Sequence, residues 1–164
     1  MISRKVQDAF NDQIAAEFSS AYLYLSMSAW FAASNLPGCA HWMRKQFQEE
    51  MEHGMKLLDH VQERGGQVVL REIPKPPVKF KSAHEIFAQT LEHEREVTRL
   101  IHQLYALALK ENDYPAQVEL QWFIKEQVEE EAHASEIVEQ LKMIGDSSPS
   151  LLMLDGRLGA RSGD

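Results

Sequence analysis

The chain has 164 residues, 44% of them hydrophobic and 26% charged, with 25 acidic side chains against 17 Lys and Arg and a formal charge of −8. That length makes one domain with a sizeable core, and the acidic balance argues against nucleic acid or an anionic membrane as the main partner and in favour of cations. One cysteine, Cys39, excludes an intramolecular disulfide, a zinc ribbon and a thiolate-held iron–sulfur cluster. No apolar h-region follows the basic residues near the start, and the most apolar stretch, Tyr22 to Ala33, is broken by Ser26 and Ser28 and is too short for a bilayer. A soluble, cytoplasmic protein is expected.

The few glycines and prolines are clustered, so long helical segments remain between them. A first helix is expected from about Ser3 to Asn35, stopping at Leu36-Pro37-Gly38, and a second from about Cys39 to Arg64, closed by Gly65-Gly66 as a left-handed cap. Residues 67–81 hold Pro74, Pro76 and Pro77, which forbid a helix and make this a long crossover. Ser82-Ala83-His84-Glu85 is a capping box that opens a third helix to about Glu111. Asn112-Asp113-Tyr114-Pro115 turns into a fourth, which runs to about Ile144 before Gly145. Ser148 to about Ala160 reads as a short fifth helix. The expected fold is all-α: a four-helix bundle over about residues 3–145, with one long crossover that makes the topology up-down-down-up, followed by the short C-terminal helix. The whole of 1–164 is expected to be a single domain.

At about 100° per residue, each helix has an apolar stripe, and each stripe contains a polar intruder. Glu17 lies among Val6, Phe10, Ala21 and Tyr24. Glu50 and His53 lie among Met43, Phe47, Leu57 and Val61. Glu94 interrupts Ala83, Phe87, Ile101 and Tyr105. Gln127, with Glu130 at the edge, lies among Leu120, Phe123, Ala134 and Val138. Glu17, Glu50, Glu94 and Gln127 all fall near mid-helix, and thirty-three residues separate Glu17 from Glu50 and Glu94 from Gln127. Unpaired carboxylates buried together cost several kcal/mol each; a multivalent cation offsets that, so one metal-binding cluster is expected. Ferritin-like di-iron proteins use one Glu from each of two helices and Glu-x-x-His from the other two. Glu17, Glu94 and Glu50-x-x-His53 match, while the fourth element is altered to Gln127-x-x-Glu130. The literal Glu130-x-x-His133 is set aside because His133 turns away from the stripe.

These residues, together with Tyr22-Leu23-Tyr24-Leu25-Ser26-Met27, Gln48-Glu49-Glu50-Met51-Glu52-His53, Glu63-Arg64-Gly65-Gly66, Glu92-His93-Glu94 and Leu120 to Glu131, resemble the ferritins, specifically the non-haem bacterial and archaeal kind. The resemblance covers about residues 5–145. It implies a homo-oligomeric shell of 24 subunits that oxidises Fe(II) with O2 or H2O2 and stores Fe(III) as a mineral. It implies that Glu17, Glu50 and His53 hold a first iron, with Glu50 bridging, and that Glu94 and Glu130 complete a second with Gln127 alongside. Tyr24 resembles the family's tyrosine beside the di-iron centre, with electron delivery as its implied role. Trp122 is a conceivable partner in that role, although an aromatic in a bundle is more often core packing. Glu49, Glu126 and Glu129 resemble a third iron site; their plainer reading is a solvated acidic face.

Met51 keeps a haem-containing bacterioferritin in view as an alternative, but Gln127 and Glu130 stand where bacterioferritins carry Glu and His, so no haem is expected. A non-cage di-iron redox enzyme is the other alternative. Where animal ferritins line a threefold channel with acidic residues, the aligned positions are Gln117 and Leu120, with Glu119 nearby.

Overall fold

The structure, a computed structural model, describes residues 1–162. It is built from five helices: α1 (Arg4–Ala33), α2 (Pro37–Glu63), α3 (Ala83–Lys110), α4 (Tyr114–Ile144) and α5 (Ser148–Leu158). Local chemistry explains the boundaries. The Ser3 hydroxyl accepts the Val6 N–H at 3.3 Å to open α1, which ends before Asn35, a residue in the left-handed region at φ 59°. α2 begins two residues earlier than the sequence suggests, because Pro37 suits a first helical position and stays within the helix. Gly65, at φ 68°, closes α2 as expected. Ser82 accepts the Glu85 N–H at 3.1 Å, but Glu85 returns to the N–H of Lys81, one residue further back than a standard capping box. Asp113 caps α4 through the Ala116 N–H at 3.1 Å.

Pairings across the bundle fix the topology. Ser28 bonds to Ala40 and Ile2 to Arg64, so α1 and α2 run antiparallel. Gln127 bonds to Glu94 and Gln117 to Ala108, so α3 and α4 do too. Tyr24 meets Glu94 and Thr90 meets Met27, which sets α3 against α1 and therefore parallel to α2. The crossover lies along α1: Gln67 is held by Gln7 and Asn11, Arg71 by Asp12, and the Pro77 carbonyl by Ser26 at 2.6 Å. The bundle is up-down-down-up.

Two apolar clusters form the core. One holds Tyr24, Phe31, Met43, Phe87 and Val138 and takes in Leu154 and Leu158 of α5; the other holds Phe10, Ile14, Leu57, Ile101 and Phe123. Tyr105, assigned to the stripe of α3, is only half-buried, and Leu104 and Ala108 fill that end instead. The polar residues lie at the level between the two clusters. α5 docks by its buried Asp155, whose carboxylate accepts the Gly38 N–H at 3.1 Å and the Cys39 N–H at 2.8 Å. A side chain at Gly38 would lie 1.7 Å from the Asp155 carbonyl oxygen, so this approach requires glycine.

Candidate metal centre

Glu17 on α1 and Glu50 and His53, one turn apart on α2, place one ligand-capable atom each within 4.8 Å of one another. Their exposures are 1%, 0% and 4%. Glu17 Oε1 accepts the amide of Gln13 at 2.7 Å. Glu17 Oε2, both oxygens of Glu50 and His53 Nδ1 are buried without any hydrogen-bond partner, although His53 Nδ1 faces Glu50 Oε2 at 3.5 Å. Buried polar groups are nearly always paired, and leaving a charged one unpaired costs several kcal/mol. A divalent cation can take one ligand atom from each of the three residues, which lie close enough together to offer them. Carboxylate oxygens with one imidazole and no thiolate suit Fe(II), Mn(II) or Zn(II).

The third and fourth helices complete the layer. Glu94, fully buried, accepts the phenolic O–H of Tyr24 and the amide of Gln127 at 3.1 Å. The same Gln127 nitrogen also bonds to the Glu94 carbonyl oxygen at 3.2 Å and to the Thr98 hydroxyl at 3.3 Å. Glu130 accepts the Gln46 amide at 2.8 Å. Glu94 and Glu130 therefore border the three-residue group but are tied to donors of their own. His133 is exposed, in keeping with the register chosen from the sequence.

Burial dominates the electrostatics. It pushes Glu50 well above the ordinary carboxylate range, and Glu94 and Glu17 push it further. Glu94 rises to about 7 because burial outweighs the hydrogen bonds from Tyr24 and Gln127. Glu130 rises to about 8 through burial and the charge of Glu94, against the opposing bond from Gln46. Tyr24 is held far above the usual phenol range by burial and then by the charge of Glu94. This is the signature of a cluster that lacks positive charge.

Trp122 departs from the core-packing reading. It is 41% exposed, its ring meets that of His53 edge-on at 5.3 Å, and Lys56 Nζ lies 5.1 Å from its centroid; α4 turns this position outward, over the rim of the centre. Of the proposed third group, Glu49 and Glu126 are half-buried and Glu129 is exposed. Glu49 is engaged by Arg161 at 2.7 Å. Leu120 is fully buried and so cannot line a channel, while Glu119 pairs with Lys56 at 3.0 Å.

Sequence reasoning missed Gln13, Gln46 and Arg161. Gln13 stands four residues before Glu17, on the same face, which is a signal available from spacing alone. Gln46 likewise precedes Glu50 by four, yet it serves Glu130 on another helix, and no spacing announces that.

An up-down-down-up bundle with carboxylates and an imidazole gathered at mid-height defines the class of ferritin-like carboxylate proteins. The ferritin-like domain family profile matches residues 7–144, and the chain belongs to the ferritin family. It is 43% identical over 161 residues to a bacterial non-heme ferritin of Bacteroides fragilis, covering 98% of this chain and all of that one. It is 35% identical to one of Staphylococcus aureus, covering 100% of this chain and 99% of that one. Its fold is similar to the open pore ferritin of the archaeon Archaeoglobus fulgidus, with a TM-score of 0.98 and 47% identity over 99% of this chain and all of that one.

Proposed function

We propose that the protein stores and detoxifies iron without haem, oxidising Fe(II) at a centre inside each subunit and keeping Fe(III) as a mineral within a shell of 24 copies. The observation that carries this reading is the buried group Glu17, Glu50 and His53, with four unpartnered polar atoms in a chain of the ferritin family. In this reading those three residues take one iron, with Glu50 shared. Glu94 and Glu130 take the second, with Gln127 holding Glu94 in place. Two Fe(II) give one electron each to O2, which takes up two protons and leaves as H2O2; with H2O2 as the oxidant the products are two waters. In this reading Tyr24, whose phenolic O–H donates to Glu94, serves electron delivery to dioxygen or peroxide. Carboxylates favour the harder Fe(III) product, and in this reading Glu49, Glu126 and Glu129 make up a third iron site beside the centre. No described helix is long and apolar enough to cross a membrane, and a cytoplasmic location is part of the proposal.

Size-exclusion chromatography after addition of excess Fe(II) in air tests this. Protein and iron should elute together near 24 × 18.8 kDa, about 450 kDa. A monomer or dimer keeping about two irons per chain would point to a non-cage di-iron redox enzyme.

A further inference from the structure

Arg161 follows α5 and reaches back towards the centre. Its carbonyl oxygen lies 2.8 Å from His41 Nε2, and its guanidinium stacks on Trp42 at 4.7 Å. One arm donates to Gln46 Oε1 at 2.7 Å and the other to Glu49 Oε2 at 2.7 Å. Gln46 is 1% exposed, and its other end donates to Glu130 Oε2 at 2.8 Å. A guanidinium only donates, so it fixes which end of the Gln46 amide is the oxygen and turns the NH2 towards Glu130. The result is an unbroken series from the chain's C-terminal segment through Gln46 to a carboxylate of the metal layer.

We propose that Arg161 is a positioning residue of the metal centre, acting on Glu130 through the amide of Gln46. The inference rests on the proposed role of Glu130 as a ligand of the second iron. Outer partners of this kind set ligand orientation, and their removal commonly weakens metal binding by about tenfold to a hundredfold. The planar fork matters: a lysine can keep the charge beside Glu49 but cannot bond both Glu49 and Gln46 in one plane. Arg161 lies outside every helix, with its side chain 19% exposed, so its replacement alters no helix sequence and its packing role is confined to the cover over Trp42.

The test is calorimetric titration of metal-free assembled protein with Zn(II), which is redox-inert. In Arg161→Gln the first binding step should match wild type and the second should weaken by about tenfold or more. Gln46→Leu should lose the same amount, and the double variant should lose no more than either single one. Arg161→Lys should recover only part of the loss. A second step unchanged in Arg161→Gln, or losses that add in the double variant, would overturn the proposal. His53→Ala is read on the first step: if that step survives intact, the metal-centre reading itself fails, which is a different result from failure on the second step.

Discussion

Gln127 donates from a single amide nitrogen to both the side chain and the backbone carbonyl of Glu94, at 3.1 and 3.2 Å. The fourth helix thus contributes a donor where a second carboxylate would repel Glu94. Replacing Gln127 with Glu should reverse this. The metal-free protein should lose about 1–3 kcal/mol at neutral pH, the penalty for a buried group left without its partner, and much of that should return on Zn(II) loading. Thermal denaturation with and without Zn(II) measures both.

Glu50 has two buried oxygens and no donor, so it opposes the stability of the metal-free chain. Glu50→Gln should raise the melting temperature of metal-free protein, corresponding to about 1–3 kcal/mol, while slowing the initial rate of Fe(II) oxidation by at least about tenfold. His53→Ala should slow oxidation similarly with assembly intact. Stopped-flow absorbance and size-exclusion chromatography provide the readings, and an unchanged initial rate in either variant would remove these residues from the site.

The raised carboxyl groups give stability a definite pH dependence. An acid whose folded pKa exceeds its unfolded value favours the folded state most while it is protonated, so that contribution is present below the ordinary 4.5 and is lost as pH climbs through about 7 for Glu94 and about 8 for Glu130. Metal-free protein should therefore lose stability as pH rises over this window, and the gain on Zn(II) binding should grow with pH. Below about pH 8, Zn(II) should displace protons, measurable as buffer-dependent heats. His60 and His93, whose burial favours the neutral ring, act oppositely and remove stability at the acid end, as pH falls through the ordinary histidine value of 6.5. Glu130→Gln should flatten the alkaline slope alone.

Asp155 joins the fifth helix to the first turn of the second by accepting two N–H groups. Asp155→Ala should cost about 1–2 kcal/mol, the size of a lost N-cap. Gly38→Ala should cost at least as much, because its methyl would meet the Asp155 carbonyl oxygen. In both variants the melting temperature of the metal-free protein is the measurement.

The helices and the four mid-height polar positions were readable because both depend on periodicity and distance along a single helix, which the chain carries locally. The left-handed Gly65 and the cap at Ser82 were legible for the same reason. Other features depend on where one element lands on another. Trp122 falls at the rim because of the rotation of α4 against α2, which its own stripe does not reveal. Tyr24 was placed beside the centre by resemblance, but its partnership with Glu94 needs the α1–α3 contact. Arg161 lies beyond the last helix, and only the docking of Asp155 brings it under Glu49.

The division of the apolar core into two clusters has a consequence for how the empty molecule behaves. Cohesion is concentrated at the two ends of the bundle, while the waist is held by amides, a phenol and carboxyl groups of matching charge. Such a molecule resembles a clamp fastened at both ends and sprung at its middle. For the proposed iron store this means that the polar waist is the level that meets cargo, while the apolar clusters at the two ends keep the four helices in register.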